Sequence, residues 1–191
     1  MFITANRSRR ATFRLVTDAL FAALYVVLAA YLTVKLPVME ISLSTLPLLL
    51  AGFLFGPIDA VTVALIGSFL EQALSQYGLT PSAPLWMLPP ILLALVAGLL
   101  GLAARRLPQD SRRYLALLVT STVLAEFLCT AANTVILYID GLYVAHYHVK
   151  ALTALLPLRL ANLGLRLLVT CLAVPLLVPR LQKLMSKRNP S

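Results

Sequence analysis

Charge is scarce in this sequence: 12% of its 191 residues are Asp, Glu, Lys or Arg, and only 7 of those are acidic. A water-soluble domain carries about 25% charged residues, so this chain lacks the material for an ordinary solvated surface. Its high apolar content equally excludes a disordered linker. Cysteine is almost absent, and Cys129 and Cys171 both fall inside apolar segments, where they read as small core residues rather than a disulfide or metal pair. The two histidines, His146 and His148, form an H-x-H without H-E-x-x-H or an obvious third ligand, so a solvated loop is preferred to a metal site. No lysine follows a glycine: the four follow Val34, Val149, Gln182 and Ser186. That removes the phosphate-cradling loop G-x-x-x-x-G-K-[ST], and G-x-S-x-G is missing too. The chain is therefore not expected to be an enzyme, and any ATP must be hydrolysed by a partner.

What is present is apolar: 60% of residues, with a mean hydropathy of +0.90. Six apolar segments run over roughly 13–36, 45–55, 59–77, 84–104, 114–139 and 151–178. Because one crossing of about 30 Å of hydrocarbon uses about 20 helical residues, the expected fold is an all-α integral membrane protein, a six-transmembrane-helix bundle. The second and third segments are split at Gly56-Pro57-Ile58-Asp59, a turn signal with proline tolerated at a helix start. The expected organisation is a basic N-terminus over 1–12, a membrane domain over 13–180 and a basic tail over 181–191.

Net charge is +9, from 16 basic against 7 acidic residues. Arg7, Arg9, Arg10, Arg14, Arg105, Arg106, Arg112, Arg113, Arg180, Lys183, Lys187 and Arg188 fall on one side of a six-crossing bundle, and Lys35 and Lys150 on the other. Basic residues are retained in the cytoplasm, so both termini are predicted to be cytoplasmic, in the plasma membrane of a bacterium. The same distribution explains the basic balance through contact with anionic lipid rather than nucleic acid. The first apolar run is long and lacks an A-x-A site, so it reads as an uncleaved helix.

Ionisable side chains inside a bilayer cost about 2.5–3.5 kcal/mol each even on the lenient insertion scale, so each needs a partner or a polar cavity. Glu126 and Arg166 fall near the midplane and are expected to form a structural ion pair joining segments five and six. Glu71, Gln72, Gln76, Asn133 and Arg159 fall in the outer half, with Asn162 spaced i+3 from Arg159. Trp86 and Tyr138 lie near the same surface, with Tyr143 and Tyr147, where an interfacial aromatic belt is the competing reading. Glu71, Gln72, Gln76, Trp86, Asn133, Tyr138, Arg159 and Asn162 are thus the candidate substrate-binding residues. Arg159 could clamp a ligand carboxylate through paired hydrogen bonds, or pair internally with Glu71. Ala19, Ala22 and Ala23 in the first segment suggest a close-packing face for a partner membrane helix, unless those alanines serve internal packing.

The stretch Ser42-Leu-Ser-Thr-Leu-Pro47 followed by Ala51-Gly-Phe-Leu-Phe-Gly-Pro57 resembles the second-helix signature of substrate-binding (S) components of energy-coupling factor (ECF) vitamin transporters. Trp86-Met-Leu-Pro-Pro90, Asn133-Thr134 and Leu156-Pro-Leu-Arg159 look most like the folate family of that group. The resemblance covers most of residues 15–178. It implies a six-helix fold with both termini inside, vitamin capture from outside, and a lid at about Pro37 to Ser44. It also implies docking of the first helix to a membrane scaffold subunit carrying two ATPase subunits, with no cofactor of its own. Folate is the expected cargo. An S component for pantothenate or another vitamin is the nearest alternative. A non-transporting six-helix scaffold of the bacterial cell-shape type is the alternative from another class, and an intramembrane enzyme ranks third.

Overall fold

The computed structural model describes residues 2–31, 33–35, 40–75, 78–109, 111–143 and 153–188. Among them are six helices: α1 (Phe2–Ala30), α2 (Thr45–Phe55), α3 (Pro57–Leu74), α4 (Ala83–Ala104), α5 (Arg112–Tyr143) and α6 (Leu156–Arg188). Two short strands, β1 (Val34–Lys35) and β2 (Glu40–Ile41), pair antiparallel between α1 and α2, with Val34 opposite Ile41. The fold is the expected all-helical membrane bundle. Five helices carry a stretch long and apolar enough to cross a membrane, and α2 is the short one. Their outward faces are apolar, as at Leu20, Phe69, Leu99 and Leu172, the arrangement a lipid solvent requires.

Helix α2 is apolar all round, and residues Pro47 to Leu54 are buried without interruption. A helix with no polar face belongs in an interior. Its 11 residues span about 16 Å at about 1.5 Å per residue, half of the hydrocarbon thickness of about 30 Å. The two ends fix which half. Thr45 reaches Glu126, fourteen residues into α5, while the Phe53 carbonyl accepts from Arg105 at the end of α4 at 3.2 Å. Helix α2 therefore fills the half of the bundle nearer the chain termini, and the β-hairpin connection enters from the other half.

Glycine permits this placement. A Cβ added at Gly52 would lie 2.8 Å from the Gly98 nitrogen, one at Gly98 would lie 2.6 Å from the Pro57 nitrogen, and one at Gly101 would lie 3.0 Å from the Gly52 oxygen. Helices α2 and α4 thus cross backbone on backbone, the close approach that small residues allow in membranes. Gly56, at φ 106°, turns the chain into α3, and Pro57 occupies the first helical turn, where a missing N–H costs nothing. On the far side of α3, Gly67 receives the Tyr25 ring of α1.

Several boundaries differ from the sequence expectation. Helix α1 ends at Ala30 rather than near 36; Thr33 then donates to the carbonyls of Ala29 and Leu28, closing the last turn. Helix α6 starts at Leu156 rather than 151 and continues to Arg188, because the basic tail is itself a good helix-forming sequence. Ala22 is a correction. Only 2% exposed, it packs into the core with Tyr25, Val26 and Ala29, at the spacing of one buried helical face. It cannot meet an outside helix, whereas Ala19 and Ala23 are exposed.

Gly98→Leu is expected to destabilise the bundle by about 3 kcal/mol or more, at or above the upper end of ordinary overpacking, since the clash is with backbone. Gly164→Ala, where an added Cβ meets nothing within 4 Å, should leave melting unchanged or slightly raised. Thermal unfolding in detergent followed by size-exclusion profile checks both.

Candidate functional site

The N-terminus of α2 is the centre of the polar interior. Ser44 and Thr45 are buried there, between charged side chains on either side. Thr45 Oγ1 donates to Glu126 Oε1 at 2.6 Å. Glu126 is fully buried, and its other oxygen lies 3.5 Å from Arg166 Nη2. Arg166 Nη2 also donates to Thr130 Oγ1 at 2.6 Å, so α2, α5 and α6 are joined by one chain of charged and hydroxyl groups. Cys129 packs against the same pair.

On the opposite wall, Tyr25 Oη donates to Glu71 Oε2 at 2.5 Å, bridging α1 and α3. Tyr25 also lies beside Ser44, which links Glu71 to the start of α2. Glu71 lies fourteen residues into α3 and Glu126 fourteen residues into α5. Among the described residues no ion pair joins Glu71 to Arg159; the ion pair present is Glu126 with Arg166. Arg159 Nη1 points to Thr134 Oγ1 at 3.4 Å, a long contact between α6 and α5.

Asn133 and Arg159 lie seven residues beyond Glu126 and before Arg166 respectively, about 10 Å further out. Both are half-buried, as are Asn162, Gln72, Trp86 and Tyr138. The Asn133 Oδ1 atom is buried without a hydrogen-bond partner among the described residues. Trp86 and Tyr138 form no ring pair; the one aromatic pair among the described residues, Phe21 with Phe55 at 5.9 Å, belongs to α1 and the far end of α2. Gln76, His146, Tyr147 and His148 lie outside the described residues, as does the centre of the expected lid.

Sequence reading missed Tyr25, Thr45, Thr130 and Thr134. The threonines were detectable: Glu126, Thr130 and Thr134 recur at i, i+4 and i+8, placing one polar stripe along α5. Tyr25 carried a weaker signal, the need of any buried phenol for a hydrogen-bond partner.

The described residues thus form a membrane bundle with a polar interior and a short central helix. The chain belongs to a specific family of this class: the sequence model for the S component of the ECF-type riboflavin transporter matches residues 10–181. No individually curated protein matches the chain.

Removing one member of the buried pair leaves the other charged and unpaired, a loss of about 3–5 kcal/mol. Glu126→Leu should therefore lower stability more than Thr45→Val, which removes one hydrogen bond to a charged group worth about 1.5–3 kcal/mol. Parallel denaturation of the two variants checks the order.

Proposed function

We propose that this chain is the substrate-binding subunit of an ECF transporter and captures riboflavin in the outer half of the bundle, above the N-terminus of α2. The observation that carries the reading is the half-length of α2. A helix that stops at Thr45 leaves room over its N-terminus, bordered by the polar residues of α3, α5 and α6, where a full-length helix would leave none. Riboflavin is the cargo for which the matching family is named.

Chemistry favours the same cargo. Riboflavin is an uncharged planar ring with an imide edge and a polyhydroxyl chain, so it needs apolar walls and several neutral donors and acceptors. Asn133, Asn162, Thr134, Gln72, Trp86 and Tyr138 are of those types. Asn133 Oδ1, buried without a partner among the described residues, can accept from an imide N–H. Folate carries two carboxylates on its tail, and Arg159 is the one cation among described side chains in that outer half. Folate and pantothenate remain the alternatives within the class.

Delivery requires a partner, since the chain has no phosphate loop. The expected partners are an ECF membrane scaffold subunit and two ATPase subunits, met through the outward Ala19 and Ala23 of α1. Both termini face the cytoplasm in this reading, which puts the basic ends of α1, α4, α5 and α6 beside anionic lipid.

Titration of the purified protein with riboflavin, read by quenching of flavin fluorescence, should give stoichiometric binding, with folate and pantothenate binding far more weakly. Asn133→Ala should weaken riboflavin by about tenfold or more, as loss of a buried hydrogen bond predicts. Arg159→Ala should change it by less than about threefold, because no charge-assisted bond is lost. A folate affinity that exceeds riboflavin's and collapses with Arg159→Ala would reverse the cargo assignment, and no binding from a vitamin panel would favour the scaffold alternative. Separately, Ala19→Leu with Ala23→Leu should abolish co-purification with the ECF subunits while riboflavin still binds.

A further inference from the structure

The termini end of the bundle holds a cavity remote from the vitamin site. Its volume is about 220 Å³, and it is lined by Leu54, Arg105, Gln109, Tyr114, Gln182 and Met185. Hydrogen bonding in its wall is lopsided. Gln182 Oε1 accepts twice, from Tyr114 Oη at 2.8 Å and from Gln109 Nε2 at 3.0 Å. Arg105 gives Nε and Nη2 to the Phe53 carbonyl at 3.4 and 3.2 Å. These contacts occupy Gln182 Oε1, while Gln109 Oε1 stays an acceptor at the rim. The Gln182 amide nitrogen and Arg105 Nη1 remain as donors with no hydrogen bond to a described residue.

The one formal charge among the described residues lining the cavity is the Arg105 guanidinium. With the Gln182 amide N–H₂ beside it the pair can hold an anion, the forked geometry of arginine suiting phosphate oxygens. Position narrows the choice. Arg105 directly follows the 22-residue apolar helix α4, which at about 1.5 Å per residue spans the hydrocarbon layer. It therefore sits at the level of lipid headgroups, where Arg106, Arg112, Arg113, Arg180 and Lys183 add positive charge and attract anionic lipid. Asp59 also faces Arg105, without forming an ion pair. Leu54 and Met185 supply an apolar edge.

We propose that this cavity is a receptor for a phosphate oxyanion, carried by an anionic lipid headgroup or by a soluble phosphate. Tyr114 and Gln109 hold the Gln182 amide so that its nitrogen and Arg105 converge on the anion. Occupancy staples the ends of α2, α4, α5 and α6 together.

The test uses the full chain, stripped of lipid in a neutral detergent. Phosphatidylglycerol, phosphatidylcholine and inorganic phosphate are added separately, with melting temperature and native mass spectrometry as readouts. Phosphatidylglycerol should raise melting by roughly 2–4 °C at about five times its Kd, as a single-site ligand does for a chain of this size, and remain as a one-to-one adduct. Arg105→Gln and Gln182→Leu should each remove at least half of that shift, while Arg106→Gln should keep it. Gln182→Leu leaves the Arg105 contact to Phe53 in place, so it reports even where Arg105→Gln fails to fold. An equal shift from inorganic phosphate assigns the source as soluble and keeps the site. Equal shifts from phosphatidylcholine and phosphatidylglycerol, no shift from either phosphate source, or full shifts in Gln182→Leu overturn the proposal.

Discussion

The contact on which the other features depend is the backbone crossing of α2 and α4 at Gly52, Gly98 and Gly101. In lipid there is little hydrophobic gain from bringing two apolar helices together, so association rests on van der Waals packing and on how near the backbones come. Gly98 lets the start of α3 lie against α4, because Pro57 occupies the space its side chain would take. The tight Gly56-Pro57 turn and the short α2 are then consequences of one another. A longer α2 would displace the turn from Gly98, and a bulkier turn would push α2 out of the centre.

A short helix in the middle of a membrane exposes its first N–H groups to a low-dielectric interior, where unsatisfied donors are expensive. Thr45, Glu126, Thr130 and Arg166 occupy that position. A carboxylate beside a helix N-terminus is favoured by the helix dipole, and Arg166 then balances the carboxylate. Tyr25 and Glu71 close the opposite wall. The polar network is thus located by the place where α2 stops, and the place where α2 stops is set by the glycine crossing.

Much of this was legible in the sequence, for reasons that differ by element. Helices α2 and α4 announced their limits within a residue because proline, glycine and arginine bound them. The ends of α1 and α6 did not. Apolar residues continue past Ala30 into the hairpin, and basic helix formers continue past the membrane at the C-terminus, so hydropathy marked the wrong event in both cases. The β1–β2 pair is only two residues per strand, below what alternation can reveal. Among site residues, Glu126 and Arg166 stood out as lone charges in apolar runs. Glu71 accepts from Tyr25, a residue distant in sequence and unremarkable in its own helix. Ala22 and Ala23 are neighbours in sequence, yet the first is buried and the second exposed, a distinction that small-residue spacing does not encode.

The two halves of the bundle differ in kind, and the difference bears on capture. Near the termini, glycine contacts, the α2 core and the Arg105 contact to Phe53 make a closely packed unit with little freedom. Among the described residues beyond Thr45, α5 and α6 are joined by the long contact between Arg159 and Thr134, and α1 is joined to α2 through a hairpin of two-residue strands. Packed interiors resist deformation, whereas sparsely bonded segments open at low free-energy cost. In the proposed reading, a solute entering above α2 would rest on the closely packed half.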